Sequence, residues 1–189
     1  MRRFLVLAGA LVSLLPAADF DLLILRARVA DGTGNPWYRA DVGVKSGRIA
    51  AIGNLNGRTA DRRIEAADRV LSPGFIDVHT HIEGAVEQVP RGDNYLMDGV
   101  TTVVTGNCGG SRVKVGQWFA ELEKTELGLN VATLIGHNSV RREVMGTANR
   151  QATPEELRQM ESLVETAMRE GAVGFSTGLI YIPGTYSNT

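Results

Sequence analysis

Strand patterns alternate with helical patterns from Gly74 onward, and this alternation leaves few folds open to the chain. The predicted strands are residues 75–78, 100–105, 130–135 and 172–175. Between them, apolar residues recur at helical spacing over 115–127 and again after Thr153-Pro154-Glu155-Glu156, a capping box with proline at the first helical position. Strands that alternate with helices form a parallel sheet, either a closed barrel or an open doubly wound sheet.

Reactive or small polar residues directly follow each of the four predicted strands. They are His79 and His81, Asn107-Cys108-Gly109-Gly110, Gly136-His137-Asn138, and Ser176-Thr177-Gly178. Chemistry at the carboxyl ends of successive parallel strands is typical of a (β/α) barrel. A dinucleotide-binding sheet would need a Gly-x-Gly-x-x-Gly turn after its first strand, and the sequence has none there. We therefore predict an α/β fold containing the N-terminal half of a (β/α)8 (TIM) barrel, because four strands are half the ring.

The segment before the barrel has the pattern of a small β-rich domain. The predicted strands are residues 20–25, 41–45, 48–52 and 64–71, with a hairpin turn at Ser46-Gly47. Pro73-Gly74 ends the last of them. We predict a β-sandwich-like domain over 19–72, followed by the incomplete barrel over 73–189.

Residues 1–18 have the order of a secretory signal peptide. Arg2 and Arg3 precede an apolar run over 4–15, which ends at Pro16-Ala17-Ala18. The run is too short to span a bilayer comfortably. The alternative is that it forms a buried first strand or helix of the domain. A signal predicts export to the periplasm or outside the cell, and a single cysteine in such an oxidising compartment is unusual unless something occupies it.

Composition excludes several classes of partner. The 189 residues are 43% hydrophobic and 22% charged, as expected of a globular chain with a real core. A net charge of -1 gives no electrostatic basis for binding nucleic acid or an anionic membrane surface. We expect a small-molecule partner, no nucleic acid, and no stable membrane span once the signal is removed.

Two histidines and the single cysteine are candidate metal ligands. Side chains alternate along a strand, so His79 and His81 point the same way and Thr80 points opposite. Neutral imidazole is a common ligand of zinc, and Cys108 would supply a soft thiolate on the same rim. The alternatives for Cys108 are a small buried apolar residue or a redox thiol.

Two further polar residues carry open interpretations. His137, at the end of the third predicted strand, could hydrogen-bond a substrate or could fasten the loop that follows it. Asp77 shares the face of His79, where it could orient a metal ligand or fix a neighbouring loop.

Four segments together carry a family resemblance. They are residues 73–81 (Pro-Gly-Phe-Ile-Asp-Val-His-Thr-His), 99–109 (ending Gly-Asn-Cys-Gly), 136–141 (Gly-His-Asn-Ser-Val-Arg) and 171–184 (containing Ser-Thr-Gly-Leu). They resemble the N-acyl-D-amino-acid deacylases (D-aminoacylases), a branch of the metal-dependent amidohydrolase superfamily. The Pro-Gly-Phe-Ile-Asp-x-His-x-His motif is shared by the superfamily, whereas the Gly-Asn-Cys-Gly and Ser-Thr-Gly-Leu motifs are specific to this branch.

The resemblance implies a zinc cofactor and a role for each matching residue. His79 and His81 match the pair that holds the weaker metal position, and Cys108 matches the thiolate of the tight zinc position. That thiolate replaces the carboxylated lysine of many relatives, and Ser176-Thr177 stands here where those relatives have the lysine.

The same resemblance implies which residues contact the substrate, and it implies that some catalytic residues lie outside this sequence. Tyr181 matches a tyrosine that contacts the substrate carboxylate, and His137 and Arg141 lie in a motif assigned to substrate binding. Glu83 stands where some relatives carry aspartate, and its role is open. Two further histidines and a general-base aspartate are expected beyond Thr189, so the chain is interpreted as truncated and inactive alone.

The implied reaction is zinc-dependent hydrolysis of the amide bond of N-acyl-D-amino acids, which releases a D-amino acid and a carboxylate. One alternative is a cyclic-amide hydrolase such as a hydantoinase or dihydroorotase, which would require a lysine at the end of the fourth strand. The other is a non-catalytic remnant or binding module that keeps the motifs without the activity.

The charge and apolar length of the N-terminal segment predict that residues 1 to about 18 are removed on export. N-terminal sequencing of exported protein is the measurement, with an Arg2→Glu, Arg3→Glu variant expected to be exported less. Recovery of Met1 on exported protein would rule out cleavage.

Overall fold

The computed structural model describes residues 17–188, so the predicted signal over 1–18 lies outside the described residues except for its last two. The chain divides into two compact units, one ending at Pro73 and the other beginning at Gly74. The first unit contains β1 (Phe20–Val29), β2 (Tyr38–Lys45), β3 (Arg48–Gly53), β4 (Ala60–Glu65) and β5 (Val70–Leu71). The second contains β6 (Phe75–Asp77), α1 (Asp93–Met97), β7 (Val100–Thr105), α2 (Val115–Leu122), β8 (Asn130–Thr133), β9 (Ile135–Gly136), α3 (His137–Met145), α4 (Pro154–Arg169) and β10 (Phe175–Ser176).

The first unit is a single five-stranded sheet. Strand β1 pairs antiparallel with β2 and parallel with both β4 and β5, and β3 continues the sheet from β2 through the predicted hairpin at Ser46-Gly47. Its core consists of Ala27, Val29, Val42 and Ala66. The β-sandwich-like prediction is not confirmed, because a sandwich requires two facing sheets and the strands of residues 17–73 form one.

The prediction of one continuous strand over 64–71 is wrong. The structure breaks it into β4 and β5, because Ala67 and Asp68 adopt left-handed φ values of 48° and 66°. The Arg69 amide donates to the Ala66 carbonyl and closes this turn. Asp68 is a residue type that tolerates such φ values, whereas Ala67 is not, so a single aspartate was the only turn signal at this break.

Five parallel strands form two sheets, of three and two strands, in the second unit. Strand β7 pairs with β6 on one side and β8 on the other, and β9 pairs with β10, all in parallel. Hydrogen bonds from Leu134 N to Thr105 O and from Ile135 N to Gly174 O continue the ladder between these pairs. The predicted α/β half-barrel of parallel strands is confirmed.

Helices pack their apolar faces on this sheet. Helix α4 begins with the predicted capping box: Glu156 N donates to Thr153 Oγ1 (3.2 Å), and Thr153 N donates to Glu156 Oε2 (2.9 Å). Helix α2 ends at Leu122, five residues earlier than predicted, and the Thr125 hydroxyl donates to the Leu122 carbonyl there. Helices α1 and α3 were not predicted.

Within residues 17–188, no helix has both the length and the apolar character needed to cross a bilayer.

Both edges of the parallel sheet are open in the described part of the second unit. Strand β6 pairs only with β7, and β10 pairs only with β9. Large apolar side chains near these edges are exposed, among them Phe75, Ile76, Val78 and Phe175. Unpaired strand edges with apolar side chains favour association with other chains.

We therefore expect the 189-residue protein to self-associate through these edges. Ile76→Lys, which places a charge on the exposed β6 edge, should shift the population toward monomer in size-exclusion chromatography with light scattering. Met97→Lys, which removes the most exposed apolar side chain of α1, is the matched control and should leave association unchanged. A wild-type protein that is monomeric at micromolar concentration would contradict this expectation.

Candidate metal centre

Parallel pairing of β6 with β7 extends past the end of β6 and orients the two histidines. The Thr80 amide donates to the Val104 carbonyl (3.0 Å), as does the Thr80 hydroxyl (3.0 Å), and the Thr80 side chain is buried. His79 and His81, on either side of Thr80 in the chain, are both exposed. Their ring centroids are 5.4 Å apart.

Asp77 fixes the backbone of this segment. Its Oδ1 accepts a hydrogen bond from the His79 amide at 3.0 Å. Of the two interpretations open from the sequence, this contact corresponds to the loop-fixing carboxylate.

Cys108 lies in the short 3₁₀ turn Asn107–Gly109 that follows β7, and its own backbone is left-handed with φ 56° and ψ 26°. A non-glycine residue in this region costs about 1–3 kcal/mol and persists only where its surroundings enforce it. This backbone directs the thiol toward the histidines, and Cys108 Sγ lies 3.4 Å from His79 Nε2.

The three side chains form one cluster with the donor set of a zinc site. Their ligand atoms, one from each of His79, His81 and Cys108, all lie within 4.8 Å of one another. With Zn–S of about 2.3 Å and Zn–N of about 2.1 Å, a tetrahedral ion holds sulfur and nitrogen about 3.6 Å apart. The Cys108–His79 separation of 3.4 Å fits that value.

Glu83 connects the histidine loop to the cysteine turn. Its Oε1 accepts a hydrogen bond from the Gly106 amide at 2.5 Å, two residues before Cys108. Arg112 donates to the Glu83 carbonyl from Nη2 at 2.6 Å. The carboxylate whose role was open from the sequence therefore orders the backbone beside the ligand cluster.

The predicted substrate residue Tyr181 lies on a loop that adjoins this cluster. Its ring is exposed and lies against Gly178, where an added Cβ would approach Tyr181 Cδ2 to 2.8 Å and the Cys108 carbonyl to 2.3 Å. Gly178 therefore lets the tyrosine loop pack directly on the cysteine turn.

His137, the first residue of α3, contacts two other segments of the chain through its ring. Its Nδ1 lies 3.1 Å from Thr177 Oγ1, and its Nε2 lies 3.2 Å from Ser187 Oγ. Burial, with a smaller effect of the positive charge of Arg141, lowers the pKa of His137 below its usual value. A neutral imidazole with both nitrogens engaged fits the loop-fastening interpretation, and substrate binding by His137 stays a prediction.

Arg141, the other residue of this motif predicted to bind substrate, is buried, and substrate binding by it stays a prediction. It is only 2% exposed, and its Nη2 donates to the Arg150 carbonyl (2.6 Å) and the Ala148 carbonyl (3.4 Å). The guanidinium therefore fastens the loop between α3 and α4. Sequence position alone missed this, because burial of Arg141 depends on how α3, itself not predicted, packs.

Comparison with known proteins shows the family to which the sequence is similar. An amidohydrolase family model matches residues 62–185. N-acyl-D-glutamate deacylase of Alcaligenes xylosoxydans is 39% identical over 186 residues, and D-aminoacylase of the same organism is 37% identical over 193 residues. These alignments cover 87% and 90% of this chain.

A solved structure gives the same result for the fold. N-acyl-D-glutamate deacylase from Bordetella bronchiseptica, determined with zinc and a phosphonate that mimics the tetrahedral intermediate, superposes with a TM-score of 0.84 and 36% identity over 89% of this chain. This chain spans about two fifths of these relatives: 38% and 40% of the two Alcaligenes proteins and 40% of the Bordetella chain.

We expect zinc to protect the Cys108 thiol from alkylation, since the thiol lies among its candidate co-ligands. Cys108 is the single cysteine, so iodoacetamide labelling followed by mass spectrometry reports on it alone. Cys108→Ser, His79→Ala and His81→Ala should each weaken zinc binding about tenfold or more, because changes even to the partners of metal ligands typically cost 10–100-fold. His137→Gln alters the third histidine and should leave binding unchanged. Equal labelling with and without zinc would refute the cluster as a metal site.

Proposed function

This chain belongs to the amidohydrolase family, and from that premise we propose that it provides the metal-binding half of a zinc-dependent hydrolase of N-acyl-D-amino acids. The reaction would cleave the amide bond and release a D-amino acid and a carboxylate. The observation that carries the proposal is the convergence of His79, His81 and Cys108 on one rim of the parallel sheet.

The chemistry of the donor set supports zinc over harder ions. Imidazole and thiolate are the donors that zinc prefers, whereas magnesium and calcium select oxygen ligands. The similarity to proteins named D-aminoacylase and N-acyl-D-glutamate deacylase supports an N-acyl-D-amino acid as the substrate.

Each residue of the site has a task in this proposal. His79, His81 and Cys108 would hold the metal, which when bound supplies Lewis-acid activation of water and of the amide carbonyl. Tyr181, exposed on the adjoining loop, would donate its phenolic hydrogen bond to the substrate carboxylate. Glu83 would hold the cysteine turn through its bond from the Gly106 amide, and we assign proton transfer to the leaving amine to another carboxylate.

The contacts of Ser176 count against the cyclic-amide alternative. A hydantoinase-like or dihydroorotase-like site would use a lysine at the end of the fourth strand, and here the side chain of Ser176 bonds the backbone of Gly106 and Gly109 instead. The side chain of residue 176 therefore supports the cysteine turn. No observation in residues 17–188 favours the non-catalytic alternative, which the following experiment tests.

We expect activity from a chimera in which this chain replaces the matching part of the Alcaligenes D-aminoacylase. With zinc, the chimera should hydrolyse N-acetyl-D-methionine and not its L isomer, and Cys108→Ala should lower kcat/KM by about a hundredfold. The 189 residues alone should show no turnover, because among residues 17–188 the ligand cluster includes no carboxylate that could transfer the proton.

Three outcomes would decide against parts of this proposal. Hydrolysis of hydantoin or dihydroorotate in place of the open-chain amide would favour the cyclic-amide alternative. Zinc binding without turnover in the folded chimera would favour the non-catalytic one. Turnover by the 189-residue protein that Cys108→Ala abolishes would show that the residues described here suffice for catalysis.

A further inference from the structure

The turn that presents Cys108 is held by side chains that come from other strand ends. We propose that Ser176, at the end of β10, is a positioning residue that orients the Cys108 thiol for metal ligation. The inference rests on the proposed metal centre and assigns to this residue a function in it.

Ser176 contacts both ends of the turn with one hydroxyl group. Its Oγ donates to the Gly106 carbonyl and accepts a hydrogen bond from the Gly109 amide at 3.0 Å. Gly106 and Gly109 flank the segment that carries the thiol, and both have a left-handed φ of 80°. A single oxygen atom therefore sets the separation between the two ends of the turn.

A second side chain fixes the middle of the same turn. Asn138, at the start of α3, donates from Nδ2 to the Cys108 carbonyl (3.4 Å) and to the Gly178 carbonyl (3.1 Å). Asn138 is buried, and its side chain lies against Gly184, where an added Cβ would approach Oδ1 to 2.0 Å. Asn138 secures the carbonyl of Cys108, and Asn107 Nδ2 donates to the Val104 carbonyl (3.0 Å), whereas Ser176 bonds both Gly106 and Gly109 at the ends of the turn.

The backbone of Cys108 explains why this support affects the thiol. Its left-handed conformation is disfavoured for a residue with a side chain, so it must be imposed from outside. Without the Ser176 hydroxyl, the buried Gly109 amide loses its partner, and leaving such a group unpaired is unfavourable. Rotation of the turn relieves both problems and carries Sγ away from His79 Nε2.

The test is a cobalt titration of the 189-residue protein and its variants, followed by the thiolate-to-cobalt charge-transfer absorption. That absorption reports on the sulfur–metal bond itself, which a change in general stability would not move. Ser176→Ala should weaken cobalt binding about 10- to 100-fold, as expected when a partner of a metal ligand is lost, and should reduce the band at saturation. Ser176→Thr keeps the hydroxyl and should restore both.

Thr177→Val is the matched control, because it removes a hydroxyl at the next position whose bond is to His137 and not to the turn. It should titrate like the wild type. Wild-type affinity and band intensity in Ser176→Ala would overturn the proposal.

Two further measurements keep the outcome clear. If Ser176→Ala does not fold, hydrogen exchange in the wild type decides, because the Gly109 amide should be protected and exchange at the rate of an exposed loop would refute its bond to Ser176. If the wild type itself binds cobalt without the thiolate band, the metal centre under "Proposed function" fails. A wild-type band that Ser176→Ala leaves intact refutes only the role of Ser176.

Discussion

The parallel pairing of β6 with β7, extended to the hydrogen bonds between Thr80 and Val104, is the constraint on which the candidate site depends. In a parallel sheet, the residues that follow each strand emerge at the same edge, so the histidine loop after β6 and the cysteine turn after β7 must meet there. The extension through Thr80 also decides which way the rings face. A shift of one residue in this pairing would bury His79 and His81 and expose Thr80.

Close backbone packing at the same edge depends on residues without side chains. A Cβ at Gly106 would lie 2.2 Å from the Leu134 carbonyl, and one at Gly136 would lie 2.4 Å from the Gly109 carbonyl. Real Cβ atoms do not approach so closely, so the loops after β7, β9 and β10 pack backbone against backbone only because these positions are glycine. Neighbouring loops of the site therefore pack closely at these glycines, and this packing fixes the positions of the ligand residues.

The sequence alone predicts the parts of this arrangement that local rules determine. Strand alternation places His79 and His81 on one side, and the capping box at Thr153 marks the start of α4. Tertiary contacts determine the rest. The break between β4 and β5 depends on left-handed backbone at both Ala67 and Asp68, and alanine does not favour that conformation. The buried Arg141 donates from Nη2 to two carbonyl groups of the loop after α3, and Ser176 bonds Gly106, 70 residues away in the chain. A pattern of residue types along the chain carries no record of such partners.

The left-handed backbone of Cys108 sets stability against function at a single position. Glycine would adopt φ 56° there without strain, and replacing a strained residue by glycine relieves that cost. A glycine at position 108 would remove the backbone strain, but it would also remove the thiol. A search for more stable variants of this protein would therefore tend to select against the cysteine, and only selection for metal binding would retain it.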